Sequence, residues 1–239
     1  MVDRLDYNAP QHWISWLPMT RPTLPQPPQP HALTPLAVAD RQALLVIATA
    51  LAPLDAAALE PLLQAITVQR LAPGDVLLRA GEPGAREFFV LDGVLKSWVG
   101  DAQGREVTLA FHVGPGVLTP AIARVVDERS RVHCQALTAV RVAGFEASTL
   151  VGCMLRDPAV QRWGDAVLRA ELMRRADREW ALAALPAAQR LQQFRQQFPG
   201  LEARIAQHHI ASYLGITPVS LSRLRAQERA AHDRQRGGA

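Results

Sequence analysis

The stretch HHIASYLGITPVSLSRLRAQE, residues 208–228, has the residue types and the spacing needed to contact DNA. Ile210 and Ala211 precede Gly215, and Leu221 and Leu224 follow it. Two helices that cross at a steep angle need apolar residues on both sides of the turn, a small residue for close approach and a glycine at positive φ. The pattern therefore predicts a helix-turn-helix, although a helical hairpin that serves only packing would share it.

The second helix of this pair is predicted to begin at Pro218, with Thr217 as its N-cap. Proline costs little at the first helical position, because the N–H that it lacks would have no partner inside the helix. When Leu221 and Leu224 are buried, the residues between them face outward. An arginine on that face can bond both O6 and N7 of guanine, so we predict Arg223 as the leading base reader.

Other predicted DNA contacts surround Arg223. Free N–H groups at the start of the first helix favour a phosphate, the serines can bond phosphates or base edges, and a valine can touch a thymine methyl group. Adjacent histidines on a helix point about 100° apart, which argues against a metal site there. These predicted contacts are Gln207, His208, His209, Thr217, Val219, Ser220, Ser222 and Arg225.

Charge separates the C-terminal third from the rest of the chain. Residues 156–239 hold 14 Lys+Arg and 8 Asp+Glu, a net of +6, whereas residues 1–155 hold 12 and 14, a net of −2. The basic third is the part expected to attract a polyanion. Two cysteines cannot build a disulfide framework or ligate an iron-sulfur cluster alone. The longest apolar stretches are too short to cross a bilayer and no signal sequence precedes them, so a cytoplasmic protein is expected.

The first 155 residues divide into three patterns. Prolines at 18, 22, 25, 27, 28, 30 and 35 disfavour helix and sheet and predict an extended arm over residues 1–36, either a docking peptide or a loosely ordered extension. Residues 37–66 fit two short helices separated near Pro53. From Val68, short apolar runs separated by Gly, Pro and Asp predict an antiparallel roll or barrel.

A long helix is predicted over residues 158–185, because apolar residues recur at helical spacing and no proline lies between Pro158 and Pro186. At 1.5 Å per residue it would be about 40 Å long, more than a small roll alone can cover. We expect it to pair with its copy in a homodimer. Packing between the two domains of one chain is the alternative.

These patterns together resemble the Crp/Fnr family of bacterial transcription regulators. The resemblance covers residues 56–227 and rests on APGDVLLRAGEPG, FFVLDGVLK, GREVTLAFHVGPG and HIASYLGITPVSLSRLR. It implies an α+β protein with an N-terminal cyclic-nucleotide-binding-like antiparallel β-roll over residues 37–155 and a dimerisation helix over 156–185. A winged helix-turn-helix over 186–239 would follow. The implied activity is not enzymatic: a homodimer binds palindromic double-stranded DNA, and an activator would also contact RNA polymerase.

The resemblance also locates an effector pocket in GPGVLTPAIARVVDERSRVHCQALTAV, but this stretch departs from the family's cyclic-nucleotide binders. Those proteins place an acidic residue shortly after a glycine and an Arg-Ser pair about ten residues later. Here no acid follows Gly116 before Asp127, and the Arg-Ser pair is displaced by one residue, which would reverse its face in a strand. The pocket residues implied by the resemblance are Gly116, Thr119, Arg129, Ser130 and Arg131.

The expected regulator therefore has a degenerate pocket whose ligand is unknown or absent, and we predict no cofactor and no metal. The alternative is a sensing module for a cyclic nucleotide or another small ligand, with DNA binding gated by it. Haem is one such ligand, since His112 or His133 could bind it. His133 and Cys134 are adjacent, but neighbouring side chains on a strand face opposite sides, which disfavours a Cys-His catalytic pair.

Overall fold

The structure is a computed structural model that describes residues 32–100, 103–119, 125–126 and 129–237. Most of the predicted proline-rich arm, residues 1–36, lies outside the described residues. The end of that segment differs from the prediction, because Thr34–Pro35 forms a short strand, β1. Thr34 and Pro35 pair with Val68 and Thr67 in antiparallel register at a sheet edge. Proline is tolerated there, since an edge residue need not donate to a neighbouring strand.

Two helices follow β1, as the sequence predicts: α1, Val38–Thr49, and α2, Ala56–Gln64. The Asp55 carboxylate begins α2 by accepting a hydrogen bond from the N–H of Ala57 at 3.1 Å. Leu44 and Leu62 are fully buried, and the two helices pack in one cluster with Phe89 and Trp163. The helical pair thus covers one outer face of the strands that follow.

The roll consists of two antiparallel sheets and a two-stranded ribbon. One sheet has the order β1-β2-β11-β4-β7, the second has the order β3-β10-β5-β6, and β8 pairs with β9. The strands are β2 Thr67–Leu71, β3 Val76–Leu78, β4 Arg86–Asp92, β5 Val94–Gly100, β6 Glu106–Val113, β7 Gly116–Leu118, β8 Val125–Val126, β9 Arg129–Ser130, β10 His133–Ala136 and β11 Val140–Glu146.

An apolar cluster fills the space between the two sheets. It includes Val90 from the first sheet and Leu95 and Cys134 from the second. Gly93 joins β4 to β5 with φ +90°, and a Cβ at this position would lie 2.2 Å from the carbonyl oxygen of Ala139. The tight turn therefore requires glycine, both for its backbone angle and for the close approach.

Two helices connect the roll to the C-terminal region: α3, Ala147–Arg156, and α4, Pro158–Ala184. The Asp157 side chain caps α4 by accepting from the N–H of Ala159 at 2.7 Å. Val160, Trp163 and Val167 bury the first half of α4 against the roll. Further along, five large apolar side chains of α4 are exposed: Leu168, Leu172, Met173, Trp180 and Leu182.

The C-terminal region is helical throughout its described part. It contains α5, Ala187–Gln197, a 3-10 turn at Leu201–Ala203, α6, Gln207–Tyr213, and α7, Pro218–Gly237. No strand follows β11 among the described residues, so the wing implied by the resemblance does not appear there. Helix α7 continues into the basic C-terminal tail as far as Gly237. None of the helices in the described ranges combines the length and hydropathy needed to span a bilayer.

Candidate DNA-binding and effector sites

The turn between α6 and α7 has the geometry that the sequence predicts. Gly215 adopts φ +66°, and two hydrogen bonds close the end of α6: Ile216 N–H to Ala211 O at 3.0 Å and Gly215 N–H to Ser212 O at 3.1 Å. This pair of bonds is a Schellman motif, which satisfies carbonyl groups that a helix end leaves without partners. Ala211 is buried at the crossing of the helices. The spacing of Ala211 and Gly215 therefore sets the angle of the helix-turn-helix.

The start of α7 confirms the predicted cap. The Thr217 hydroxyl accepts from the N–H of Ser220 at 3.1 Å, and Pro218 is the first helical residue. The hydroxyls of Thr217 and Ser220 lie 2.9 Å apart, so Ser220 supports the cap rather than standing free on the surface. The two residues fix where the second helix begins.

The outer face of α7 presents three of the predicted DNA contacts to solvent. Val219, Ser222 and Arg223 are exposed, whereas Leu221 between them is fully buried. The buried leucine packs in a cluster with Phe194, Leu201, Ile210 and other residues of the C-terminal helices. A packed helix holds its exposed side chains in defined directions, which a base-reading face requires.

Arg225 contacts protein groups instead of facing solvent. Its Nε and Nη2 donate to Glu202 Oε1 at 3.0 and 2.6 Å, and Arg195 donates to the other oxygen of Glu202 and to Glu228. Burial works to raise the pKa of Glu202, but the hydrogen bonds and charges of Arg195 and Arg225 outweigh it and lower that pKa. The network links α7 to the turn before α6, so Arg225 helps to hold α7 in place.

The three predicted phosphate contacts at the start of α6 differ in their exposure to solvent. Gln207 and His208 are exposed, and Ala206 offers no side-chain cap to the free N–H groups there. His209 instead faces the roll, where its Nδ1 lies 3.3 Å from the Lys96 ammonium. Burial, then the charges of Lys96 and His208, lower the pKa of His209 to about 3. The neutral ring accepts from Lys96, so His209 contacts the roll rather than an open phosphate site.

Two further contacts attach the C-terminal helices to the roll, and neither was predicted. The Ser212 hydroxyl donates to Glu106 O at 3.0 Å and accepts from Thr108 N–H at 2.9 Å. Arg178 of α4 donates through Nη2 to Thr108 O at 2.8 Å and to Tyr213 O at 3.0 Å. Serine in a helix and arginine in a charged helix are common on protein surfaces, so neither position gave a signal in the sequence.

The predicted effector residues do not meet at one place in the described part of the chain. Gly116 lies in β7 and pairs with Val90 of β4. Thr119 lines a cavity of about 70 Å³ between the roll and α4, together with Glu87, Phe89, Met154, Trp163, Leu168 and other residues. A cavity of about 70 Å³ is much smaller than the roughly 300–1,000 Å³ of pockets that bury a drug-sized ligand.

Of the other three effector residues, Arg129 and Ser130 form β9, which bonds the turn that follows β3, and Arg131 comes directly after β9. Arg129 is exposed and donates to Gly81 O at 2.6 Å, while the buried Ser130 hydroxyl donates to Val132 O at 2.8 Å. Arg131 is exposed, and none of the three borders the Thr119 cavity. Residues 120–124 and Asp127, which belong to the stretch that lacks the family's acid, lie outside the described residues.

Both candidate haem ligands are already bonded within the roll. His112 Nε2 lies 2.9 Å from the Ser97 hydroxyl, and both residues are buried. His133 accepts from the N–H of Ala80 through Nδ1, and its ring stacks on Trp98 with centroids 4.2 Å apart. Within the described ranges, no three His, Cys, Asp or Glu side chains are grouped closely enough to hold a metal ion.

Comparison with known proteins agrees with this architecture. The sequence profile of the cyclic nucleotide-binding domain family matches residues 68–157. A search of curated proteins found no match.

Several solved structures share the fold. FixK2 from Bradyrhizobium japonicum is 21% identical, with 70% of this chain and 86% of that one covered and a TM-score of 0.62. The c-di-GMP responsive global regulator CLP from Xanthomonas campestris is 17% identical, with coverage of 74% and 93% and a TM-score of 0.60. A CooA mutant from Carboxydothermus hydrogenoformans is 19% identical, with coverage of 71% and 79% and a TM-score of 0.58. Residues 68–157 thus match the cyclic nucleotide-binding domain family, and the chain shares its fold with these three proteins.

Proposed function

We propose that this protein is a transcription regulator that binds double-stranded DNA as a homodimer. The observation that carries the proposal is the outer face of α7, where Val219, Ser222 and Arg223 are exposed on a helix that is capped, packed and held by a Schellman turn. Arg223 reads a guanine, Val219 touches a thymine methyl group, and Ser222 bonds a phosphate or base edge. Gln207 and His208 at the start of α6 bind phosphates.

The dimer is proposed to form through α4. Its exposed leucines, Leu168 and Leu172, lie four residues apart and therefore on one helix face, with Met173 beside them. Large apolar side chains in such a row are typical of a helix that pairs with another helix. A copy of α4 packed in parallel along this row would cover it and would place the two α7 helices symmetrically. A two-fold operator with half-sites about one helical turn apart follows from that symmetry.

Gating by a small molecule is the second part of the proposal. The domain over residues 68–157 belongs to a ligand-binding class, and the Thr119 cavity opens between the roll and α4. A ligand at that place would contact both the roll and the proposed dimerisation helix. Because the predicted ribose and phosphate residues are missing or dispersed, we propose that any effector differs from cyclic AMP and cyclic GMP.

Selection from random duplexes tests the proposed function directly. The full chain is incubated with a pool of random DNA, bound duplexes are recovered and sequenced, and the affinity of the recovered site is measured between 50 and 200 mM salt. A palindromic site is expected, with affinity that falls steeply as salt rises, because phosphate contacts release counterions. Recovery of no preferred sequence, with the protein folded, would refute sequence-specific binding. A selected site without two-fold symmetry would refute the dimer.

A further inference from the structure

The connection between α4 and the helix-turn-helix domain is short. Helix α4 ends at Ala184, Leu185 is extended with φ −101° and ψ 141°, and Pro186 precedes α5. Pro186 is also extended, and a connection of two extended residues restricts the distance between the helices but leaves rotation about its backbone bonds. The orientation of the C-terminal helices relative to α4 must therefore be fixed by contacts between side chains and backbone groups.

Arg178 makes such a contact with two other parts of the chain. From α4, its Nη2 bonds Thr108 O of β6 at 2.8 Å and Tyr213 O of α6 at 3.0 Å. The guanidinium carbon lies 4.6 Å from the centre of the Tyr213 ring. Burial lowers the pKa of Arg178, but a guanidinium remains charged in proteins. One planar cation thus joins the roll, the long helix and the first helix of the helix-turn-helix.

Arg178 and Arg190 both bind backbone carbonyl groups at the C-terminal end of α6. Tyr213 and Leu214 close α6, and Arg190 donates to Leu214 O at 2.9 Å and to Leu185 O at 2.6 Å. The last carbonyls of a helix lack intrahelical partners and carry partial negative charge, which favours a cation. Two arginines from different helices therefore hold the C-terminal end of α6 against the end of α4.

Ser212 completes the attachment on the side of the roll. Strand β6 lies at the edge of its sheet, so groups on its outer side have no strand partner. The Ser212 hydroxyl bonds Glu106 O and Thr108 N–H of this edge. Beneath it, Phe111 of β6 packs on Phe194, Phe198 and Tyr213 with ring centroids 5.2 to 5.9 Å apart. The helix-turn-helix is thus seated on a strand edge at the point that Arg178 also binds.

We propose that Arg178, supported by Ser212, is a positioning residue that sets the spacing between operator half-sites. The proposal rests on the proposed function of a DNA-binding dimer. Adding one base pair between half-sites moves them apart by about 3.4 Å and rotates one relative to the other by about 35°. Two reading helices held at a fixed angle to the dimer axis cannot follow that change. Helices released from Arg178 can rotate about Leu185 and follow it.

The test uses the operator selected by the unmodified protein and two derivatives with one base pair added or removed between the half-sites. The spacing penalty is the affinity for the selected operator divided by the affinity for a derivative. We expect a penalty on the order of tenfold for the unmodified protein, comparable to a mismatched base pair. For Arg178→Ala the penalty should fall to less than about threefold, and Arg178→Lys, which keeps the charge and N–H donors, should restore part of it.

Matched controls separate positioning from folding and from charge. Arg162→Ala removes the same charge from an exposed position of α4 and should keep the full penalty. Affinity for a duplex with one half-site should be similar in all variants, because the reading face is unchanged. Ser212→Ala is a milder change at the same attachment, and it decides the matter if Arg178→Ala does not fold. Full spacing penalties in the folded variants would overturn the proposal, whereas failure of the unmodified protein to select any site would refute the proposed function instead.

Discussion

Polar side chains on the outer face of the helix-turn-helix are exposed, whereas several in the roll are buried and hydrogen-bonded. On α7, Ser222 and Arg223 point to solvent from a helix whose other face is packed. In the roll, Ser97 and His112 bond each other in the interior, and Ser130 bonds the backbone of Val132. Exposed donors on a rigid helix are available to a ligand, whereas buried donors already bonded must first give up a partner. The difference supports the proposal that α7 contacts a ligand through its exposed face, while the roll acts chiefly as a scaffold.

The largest effect is expected where the scaffold itself is altered. Gly93→Ala would add a positive-φ penalty and a Cβ only 2.2 Å from Ala139 O. Together these should lower the free energy of unfolding by about 3 kcal/mol or more. The matched control is Gly74→Ala, where φ is +94° but no atom lies within 4 Å of the added Cβ, so a loss of only about 1 to 2 kcal/mol is expected. Urea unfolding measures both, and equal losses would show that close approach at Gly93 does not matter.

The next effect distinguishes reading from support within the helix-turn-helix. Arg223→Ala should reduce discrimination at one base position of the selected operator by about 1 to 3 kcal/mol and leave thermal stability unchanged. Arg225→Ala should lower thermal stability and leave discrimination between bases unchanged, because Arg225 is bonded to Glu202 inside the domain. Affinity for operators mutated one position at a time, measured beside thermal unfolding, separates the two. Unchanged discrimination in Arg223→Ala would remove Arg223 from the role of base reader.

A smaller effect is expected at the cap of the reading helix. Thr217→Ala removes the hydroxyl that accepts from Ser220 N–H and should destabilise the protein by about 1 kcal/mol. Ser222→Ala, four residues beyond Pro218 on the exposed face, is the matched control and should leave stability within about 0.5 kcal/mol. If Ser222→Ala lowers the free energy of unfolding as much as Thr217→Ala does, the hydroxyl of Thr217 does not stabilise α7 as a cap.

Acidification should weaken the same domain through Glu202. Its folded pKa is lowered, mainly by bonds to Arg195 and Arg225 that outweigh partial burial. A lowered folded pKa means that this stabilisation is present above the ordinary value of 4.5 and is lost as the pH falls below it. Because the network is partly exposed, no more than about 1 kcal/mol is expected. Glu202→Gln should lack this part of the pH dependence in thermal unfolding from pH 7 to 3, and an unchanged profile would contradict it.

Local spacing in the sequence predicted the helix-turn-helix well because its determinants are local. Gly215, Thr217 and Pro218 act within four residues of one another, and the structure places each in its predicted backbone role. The partners of His209 and Arg225 lie far along the chain, at Lys96 and Glu202, and no local pattern predicts a contact over 113 or 23 residues. Spacing between residues close in sequence predicts the backbone conformation better than it predicts which side chains are exposed and without protein partners.

In the roll, the alternation of side chains along β5 and β6 carries a signal for the buried pair Ser97 and His112, which we did not predict. Ser97 is two residues beyond Leu95 on one strand, and His112 is the cross-strand partner of Leu95, so all three share the face that points between the sheets. Strand alternation alone could have predicted this buried polar pair. The displaced Arg-Ser pair could not be resolved in that way, because its face depends on how β9 pairs with β8 and on the bridge between Arg129 and Pro83.

The smallest effect is expected from cyclic nucleotides. A ligand that binds only the folded protein stabilises it by RT ln(1 + [L]/Kd), about 2.7 kcal/mol at a hundredfold excess over Kd. Arg129 bonds Gly81 O, Ser130 bonds Val132 O, and neither borders the Thr119 cavity, so a cyclic phosphate would have to replace existing bonds before gaining new ones. We therefore expect no shift of the unfolding temperature with cyclic AMP or cyclic GMP at 100 µM, the concentration at which a micromolar site would be a hundredfold saturated. Arg129→Ala serves as the control. A shift that is seen in the unmodified protein and lost in this variant would mean that the roll rearranges and binds a cyclic phosphate. The contrast between the roll and α7 would then hold only for the unliganded protein.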